Sequence, residues 1–494
     1  MVLVLVASLV VRLLVAAILG PGFDEAHYYS YSLRPALSYF DHPPFVAFLA
    51  GLFPNMTGTV SPLTIRIGAI ILFTATGLLF YRLSRIWLPE KEALIAYCLF
   101  NFVPLFFFCA GTMILPDAGL AFFWVVTLLL LKRLIFDQAR TGTWVLAGIM
   151  TGCSLLCKYH GALLGFSLAL YLLVVRPNAF LTRGPYLYGL SAVITSLPVL
   201  VWNVGHGFVS FAFQGGRILG ASLSFKHFLV AVGGQTLYLT PFIFVPLVYV
   251  MWQTFVRGLL RKEEEYRFLF FFGTIPVLVF NLISVTKPVL PHWTLPGYII
   301  LMIPLARFIE EQWEKRPRLK RASAFLVIGF FSLLALVSLH LHYGIFHLEK
   351  LVQKGWIPEK AFRADPTLDV IGWDEVNRYL TENGLCPEEW FLFTHKWFLS
   401  SQADLATEGR YTVMCFNMNN PHAFGIWDSR LDMRGKNGVF ICSNRYAAKP
   451  AEKFGAYFES ISGPDAVTVN RSGVPSKTLY FYRCKNLLRR YPVP

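Results

Sequence analysis

The sequence predicts a polytopic α-helical membrane protein that ends in a smaller α/β domain outside the membrane. Hydrophobic residues make up 55% of the 494 residues and charged residues only 15%, against about 25% charged residues in soluble proteins. Apolar runs of membrane-spanning length recur until about residue 345, and the chain then becomes charged and rich in turn residues. We therefore predict a membrane domain at residues 1–345 and a soluble α/β domain at residues 346–494.

The membrane domain is predicted to contain about eleven transmembrane helices. Each apolar run can cross a hydrocarbon core of about 30 Å, although the fifth and sixth runs are short. The first run lacks a basic start and a small-residue cleavage site, so we expect a retained helix, with Arg12 inside it, rather than a signal peptide. The runs cover residues 2–20, 62–82, 93–110, 117–135, 143–157, 160–175, 186–202, 228–253, 268–285, 293–309 and 322–343.

Basic residues cluster in every second loop between these runs. The clusters lie within residues 82–91, 132–140, 176–183, 257–267 and 314–322. This alternation follows the positive-inside rule and places those loops in the cytoplasm, so the remaining loops and the C-terminal domain face outward. Topology therefore explains the formal net charge of +15, and we expect no nucleic-acid partner.

The C-terminal domain is predicted to contain a helix followed by strands. The helix lies within "DPTLDVIGWDEVNRYLTENG" and ends at Asn383-Gly384. The predicted strands are "EWFLFTHKW", "YTVMCFN", "GVFICSN" and "SKTLYFYRCK". An oxidising exterior would permit disulfides among the four cysteines of this domain, with three alternative connectivities. These cysteines are Cys386, Cys415, Cys442 and Cys484.

Carboxylates are few in the predicted outward loops and lie close to the membrane boundary. Asp24 and Glu25 follow the first helix, and Asp41 lies further along the same segment. Asp117 follows Pro116 at the start of a helix and could simply cap that helix. Ionisable groups near hydrocarbon are costly, so the four acids together favour a functional site.

Cations and neutral hydrogen-bond donors are predicted on the same side as these acids. A carboxylate can deprotonate an acceptor hydroxyl, and cations can neutralise a departing phosphate. Transfer of a group from a phosphate-linked donor needs both functions. The outward donors are Lys158, Tyr159, His160, His206, Gln214, Arg217, Lys287 and His292.

The stretch "DEAHYY" at residues 24–29 resembles the acidic motif of the glycosyltransferase-C (GT-C) superfamily. More narrowly, it is similar to the branch that contains glycosyltransferase family 39, with the protein mannosyltransferases and the lipid A aminoarabinose transferases. Further segments resemble family segments in the expected order: "YFDHPP", "LPDAGL", "KYHG", "VWNVGHGFVSFAFQ" and "PHWTLPGY". The tail resembles the periplasmic domain of such a transferase, so the resemblance covers nearly the whole chain.

The resemblance implies a GT-C enzyme that takes a sugar from a polyprenyl-phosphate-sugar donor, usually with inversion. It implies catalytic roles for Asp24, Glu25 and Asp117, with Asp24 as the base or the acceptor-positioning carboxylate. The acceptor would be lipid A, another glycolipid or a protein side chain. The implied residues for donor phosphate and sugar are His27, Tyr28, Asp41, His42, Lys158, Tyr159, His160, Asn203, Arg217, Lys287 and His292.

The sequence departs from the family pattern at two positions. His27 stands where some relatives have Arg, and Asp41-His42 stands where the aminoarabinose transferases tend to have Glu-Lys. Each change replaces a fixed cation with a titratable imidazole. Asp41, His42 and His292 could hold a divalent metal ion, although the resemblance implies no required cofactor.

The expected location is a bacterial inner membrane, with the active site and the C-terminal domain in the periplasm. The main alternative is a polytopic transporter or lipid flippase, which would more often show paired halves and ionisable residues at mid-depth. A ligase-like transferase and a membrane-anchored receptor are further alternatives. Clustering of the ionisable residues on one side of the membrane favours the transferase.

Overall fold

The computed structural model describes residues 1–137, 140–218, 222–358, 365–471 and 474–492. Up to Tyr343, nearly all of its secondary structure is helical. Wider turns at Val256–Leu260 and Phe270–Thr274 continue two of these helices. The α-helices are Val2–Ile18, Phe23–Ser32, Phe45–Thr57, Pro62–Ser84, Glu90–Phe102, Pro104–Cys109, Pro116–Phe136, Thr141–Cys157, Ala162–Val175, Gly184–Gly205, Val209–Ile218, Phe225–Leu239, Pro241–Phe255, Glu264–Leu269, Ile275–Ile283, Leu295–Lys315 and Pro317–Tyr343.

The predicted class of helical membrane protein is confirmed. Within the described ranges, seven helices are long and apolar enough to cross a membrane: Pro62–Ser84, Pro116–Phe136, Gly184–Gly205, Pro241–Leu260, Glu264–Ile283, Pro291–Lys315 and Pro317–Tyr343. The first predicted span is a bent pair, because Val2–Ile18 meets Phe23–Ser32 at 88°. Three more apolar helices, Phe45–Thr57, Thr141–Cys157 and Tyr159–Val175, are shorter.

Prolines divide two of the predicted apolar runs into separate helices. Residues 93–110 form Glu90–Phe102 and Pro104–Cys109, and residues 228–253 form Phe225–Leu239 and Pro241–Phe255. In both cases the residue before the proline leaves the helical conformation. Proline has no N–H to donate, and it disfavours a helical conformation in the preceding residue, so apolar composition alone overestimates the length of these helices.

The chain forms two compact units, each assembled from distant segments of the sequence. The first, here called the helical unit, comprises Met1–Leu14, Ala36–Leu49 and Arg66–Leu326. The second, here called the composite unit, comprises Val15–Pro35, Ala50–Ile65 and Val327–Pro494. The boundary near residue 345 follows from composition and stays a prediction.

Aromatic stacking and a buried guanidinium organise one part of the helical unit. Phe100 stacks between Phe73 and Phe80, with ring centroids 4.7 and 4.5 Å apart. Arg12 is fully buried, lies 4.6 Å from the ring centroid of Phe73, and donates 3.0 Å hydrogen bonds to the main-chain and side-chain oxygens of Asn101. Asn101 lies in the last helical turn before the break at Pro104, so its carbonyl has no N–H partner within the helix. Arg12 donates the hydrogen bond that a main-chain N–H would donate in a continuous helix.

The composite unit contains one five-stranded mixed sheet. Its strands are β1 (Trp390–Thr394), β2 (Val413–Cys415), β3 (Asn437–Ser443), β4 (Phe458–Arg471) and β5 (Val474–Leu487), in the order β2-β1-β3-β5-β4. β1 is parallel to β2 and β3, whereas β5 is antiparallel to β3 and β4. The remaining α-helices among the described residues are Leu348–Gln353, Asp374–Glu382, Trp397–Ala406, Ala423–Asp428 and Pro450–Phe454.

The four strands predicted from the sequence are confirmed as β1, β2, β3 and β5, and the predicted helix is Asp374–Glu382. β4 is a strand that the sequence analysis missed. It lies at the edge of the sheet, most of its side chains are at least partly exposed, and Gly463-Pro464 interrupts its apolar pattern. An edge strand tolerates a proline because the N–H groups along its outer side have no partner strand. With a proline and mostly exposed side chains, β4 lacks the alternating apolar pattern that identifies a strand in the sequence.

All eight cysteines are free thiols, so the disulfides considered from the sequence do not form here. Cys442 on β3 pairs with Tyr480, and Cys484 on the adjacent β5 pairs with Gly438. The two cysteines are therefore offset by four residues, or roughly 13 Å along the strands, which no disulfide can span. Cys415 lies on β2, which β1 separates from β3.

A buried lysine on β5 makes the stability of the composite unit depend on pH. Lys477 donates a 3.0 Å hydrogen bond to the carbonyl of Ile371 and lies 4.4 Å from the ring centroid of Trp373. Burial lowers the pKa of Lys477 from 10.5 to about 7. Below pH 7 both folded and unfolded states hold the proton, and the desolvation penalty is complete. Above pH 7 the folded state releases the proton first, so stability rises by up to about 1.4 kcal/mol per pH unit.

We expect Lys477→Met to remove this contribution. Melting of the full-length protein in detergent at pH 6.5 and 8.5 should show a smaller pH dependence in the variant than in the wild type. Lys485→Met is the matched control, because Lys485 lies on the same strand with its side chain exposed. An equal pH dependence in the wild type and Lys477→Met would contradict the assignment.

Candidate functional site

A buried ion pair in the helical unit joins two of the predicted site residues. Lys158 Nζ lies 2.9 Å from Oδ1 and 2.8 Å from Oδ2 of Asp117, and both side chains are at most 3% exposed. Pro116 begins the helix Pro116–Phe136, which places Asp117 in the first turn, where the helix dipole favours an anion. Lys158 follows the end of the helix Thr141–Cys157 and precedes a short 3₁₀ turn.

More predicted site residues surround this pair. The charges of Asp117, Lys158 and Arg217 act on both His42 and His292, so five residues from five separate segments share one electrostatic environment. We call these five residues, Asp117, Lys158, His42, Arg217 and His292, the polar cluster. The Arg217 guanidinium lies 4.7 Å from the ring centroid of Trp293, and that contact fixes its orientation.

His42 is a neutral imidazole at neutral pH. Burial lowers its pKa to about 4, and the positive charges of Lys158 and Arg217 act in the same direction, against the carboxylates of Asp41 and Asp117. The expectation that His42 replaces a fixed cation therefore applies only if a bound anion raises the pKa of the imidazole. In the helical unit as it stands, Lys158 and Arg217 are the positively charged members of the cluster.

Other predicted donor residues of the helical unit hold its polypeptide segments together. Tyr159 shares a 2.5 Å hydrogen bond with Ser210, and the main-chain oxygen of Asp41 accepts a 2.6 Å bond from Gln214. Asn203 donates to the carbonyl of Val199 and accepts from the N–H of Phe211. The ring of His160 stacks on Phe280, with centroids 4.6 Å apart.

The structure does not bring every predicted residue into the polar cluster. Asp41 and His42 lie 3.9 Å apart, but within the described ranges Asp41, His42 and His292 do not form a group whose ligand atoms all lie within 4.8 Å of one another. The metal site considered for these three residues stays a prediction. Lys287 is half-buried, and no carboxylate in the described part of the chain forms a salt bridge with it.

The acidic motif belongs to the composite unit. Asp24 and Glu25 lie in the first turn of Phe23–Ser32, where Asp24 is exposed and Glu25 is buried. The Glu25 Oε2 atom accepts a 3.0 Å hydrogen bond from the N–H of Gly22, so this carboxylate caps its own helix. Of the two adjacent acids, Asp24 has the more accessible carboxylate. Tyr28 is buried in the same helix.

His27 contacts residues from the far end of the chain. Its Nδ1 lies 2.8 Å from Ser401 Oγ, and its Nε2 lies 3.0 Å from Nδ1 of His422. Arg34 forms a two-pronged ion pair with the fully buried Asp404, at 2.7 and 3.2 Å. The local sequence does not single out Arg34, Ser401, Asp404 or His422, because partners about 370 residues apart leave no local pattern.

Together the polar cluster supplies cations that can bind a phosphate, next to a buried carboxylate that holds one of them in place. Desolvation strengthens each of these interactions relative to water. The composite unit separately supplies an accessible carboxylate, Asp24, on a short and well-packed helix. Both features are those expected for group transfer from a phosphate-linked donor.

Several known proteins are similar to this chain in sequence or in fold. Residues 41–202 match the family model described as dolichyl-phosphate-mannose-protein mannosyltransferase. A curated relative, the lipid A galacturonosyltransferase RgtD of Rhizobium johnstonii, is 23% identical over 301 residues. That alignment covers 60% of this chain and 62% of the relative, which is less than two thirds of the relative's length.

The fold is shared with a solved structure. ArnT from Cupriavidus metallidurans bound to undecaprenyl phosphate superposes with a TM-score of 0.64 at 16% sequence identity, over 97% of both chains. Its apo state superposes with the same TM-score at 15% identity. The family match, the curated relative and the shared fold bear out the predicted resemblance to the GT-C superfamily, in the branch of glycosyltransferase family 39 and the lipid A sugar transferases.

Proposed function

We propose that this protein is a membrane glycosyltransferase that moves a sugar from a polyprenyl-phosphate-sugar donor to a lipid acceptor, lipid A first among the candidates. The proposal rests on one observation above all, the buried Asp117–Lys158 pair with Arg217 in the same electrostatic environment. Burying a cation and a carboxylate costs considerable desolvation free energy. Phosphate binding is a function that explains why such a pair is present.

The proposed reaction breaks one bond and forms another at the anomeric carbon of the sugar. The acceptor hydroxyl oxygen attacks this carbon while the bond from the carbon to the phosphate oxygen breaks. Asp24 takes the proton of the hydroxyl, and polyprenyl phosphate leaves with the bonding electron pair. Lys158 and Arg217 stabilise the charge that develops on the phosphate, and Asp117 holds Lys158 in position.

Two kinds of observation support the choice of partners. The fold is that of an enzyme solved with undecaprenyl phosphate, and the curated relative is named for a lipid A sugar transfer. We extend both to this chain as part of the proposal, with a hexose or a pentose as the transferred sugar and another glycolipid or a protein as alternative acceptors. The proposal also includes an inner-membrane location, a catalytic domain at residues 1–345 and a periplasmic domain at 346–494.

The deciding experiment measures release of free polyprenyl phosphate by the purified protein. A panel of polyprenyl-phosphate sugars would be supplied with and without a lipid A acceptor, and with and without a chelator. We expect release with one sugar, and a loss of at least about a hundredfold in Asp24→Asn without loss of donor binding. Asp374→Asn is the matched control, since Asp374 is also an exposed acid in the first turn of a short helix.

The outcomes separate the alternatives. Full activity in Asp24→Asn would rule out Asp24 as the base without contradicting the proposed transferase function. No donor binding and no release with any sugar would contradict the transferase itself. Movement of a labelled lipid across proteoliposomes by the same preparation would then support the flippase alternative.

A further inference from the structure

The helix that carries the acidic motif is too short to be stable by itself. Phe23–Ser32 has ten residues, fewer than an isolated helix needs in water, and it bends by 88° from the preceding helix. Seven of its ten side chains, Glu25–Tyr31, are nevertheless buried. Its conformation must therefore come from packing, and the packing partners decide where the carboxylate of Asp24 points.

Several of those partners lie on one helix of the C-terminal part, Trp397–Ala406. The ring of Phe23 lies 4.5 Å from the ring of Phe398, and His27 hydrogen-bonds to Ser401 at 2.8 Å. Gln402 donates a 2.9 Å bond to the carbonyl of Pro21, just before the acidic motif. Contacts on both sides of Asp24 in the sequence therefore hold the backbone that presents its side chain.

An ion pair joins the same two segments beyond the C-terminal end of the acidic-motif helix. Arg34 follows the helix by two residues and makes hydrogen bonds of 2.7 and 3.2 Å with Asp404, whose side chain is fully buried. The guanidinium lies 4.5 Å from the ring centroid of Trp427, so its planar face is also packed. A bidentate, desolvated pair of this kind fixes distance and orientation, which a surface pair does not.

We infer that the helix Trp397–Ala406 of the C-terminal part positions the acidic-motif helix, with Arg34, Asp404 and Ser401 as positioning residues for Asp24. The inference rests on the proposed function for the role of Asp24. The C-terminal part is then a structural component of the active site, in addition to any contact that it makes with an acceptor. None of the three side chains needs to touch the substrate.

The test combines an activity measurement with one that needs no substrate. Arg34→Met and Ser401→Ala should lower kcat about ten- to a hundredfold with little change in KM for the donor, since a misdirected base slows the transfer step. Amide hydrogen exchange in residues 21–35 should become at least about tenfold faster in both variants. Arg34→Lys, which keeps the charge, should recover part of the activity and of the protection.

Arg434→Met is the matched control. Arg434 also forms a two-pronged pair with an aspartate, Asp432, but both side chains are at least half exposed. This variant should leave kcat and the exchange of residues 21–35 unchanged, because exposed pairs contribute little.

The outcomes are distinguishable from a failure of the proposed function. Unchanged exchange in residues 21–35 of both Arg34→Met and Ser401→Ala would overturn the inference, whether or not a donor has been found. Faster exchange with wild-type kcat would overturn the positioning role. Faster exchange in a protein that transfers no sugar would sustain the helix contact and reject the transferase. Ser401→Ala removes a single oxygen atom, so it keeps the test open if Arg34→Met fails to fold.

Discussion

Lys158→Met is expected to lower the rate of sugar transfer about a thousandfold, the largest effect of any single substitution proposed for this protein. The substitution removes the buried cation that we propose stabilises the departing phosphate. It also leaves the Asp117 carboxylate buried without its partner, which should cost roughly 3–5 kcal/mol of folding stability. Transfer kinetics and thermal melting in detergent would be measured on the same preparation.

The double variant Asp117→Asn/Lys158→Met separates the two effects. Because it removes both charges, most of the lost stability should return while activity stays low. Recovery of both activity and stability in the double variant would mean that Lys158 contributes only to folding stability. Lys132→Met is the less buried control, since Lys132 makes the same two-pronged contact with Asp137 at 2.9 and 2.8 Å, and these two side chains are 19% and 49% exposed. Its loss should cost less than about 1 kcal/mol.

Gly161→Ala is expected to destabilise the helical unit by at least about 2–3 kcal/mol and to slow transfer about a hundredfold. A Cβ atom at Gly161 would lie 2.5 Å from the nitrogen of Leu155 and 2.6 Å from the carbonyl carbon of Ser154. Both contacts are with backbone, so no side-chain rotation can relieve them. The N–H of Gly161 bonds to the carbonyl of Lys158 at 2.9 Å, so opening this turn must move Lys158.

Gly165→Ala provides the comparison within the same segment. A Cβ atom at Gly165 meets nothing within 4 Å, and the residue lies inside the helix Ala162–Val175. Alanine is the better helix former by about 0.5–1 kcal/mol, so this variant should be as stable as the wild type or more so. Equal tolerance of alanine at both positions, by melting temperature and by transfer rate, would contradict the tight turn that we describe.

Much of the candidate site could be predicted because the signals are local. Asp117 and Lys158 each lie beside a helix end, at loops predicted to face outward, and a charge at that position is conspicuous in an apolar sequence. Asp24 and Glu25, by contrast, look equivalent in the sequence. The structure distinguishes them, because Glu25 caps the helix through Gly22 while Asp24 is exposed.

The fold, like the site, was predictable only where the sequence signal is local. Runs of apolar residues predict the spanning helices, and alternation predicts the buried strands, because both depend on residues close together in the chain. The same signals miss the edge strand β4 and the helix breaks at Pro104 and Pro241. The unbroken helix Gly184–Gly205 contains Pro198, so the presence of a proline does not by itself decide whether a helix ends.

By itself, the sequence determined the membrane class, four of the five strands of the C-terminal domain and the set of ionisable residues predicted to face outward, since these follow from local composition and periodicity. Only the tertiary structure decided which of these residues are partners. Lys158 pairs with Asp117 across 41 positions, and Arg34 pairs with Asp404 across 370. Such contacts depend on where separate segments pack against one another, and that packing is set by the summed burial of many side chains rather than by any local pattern.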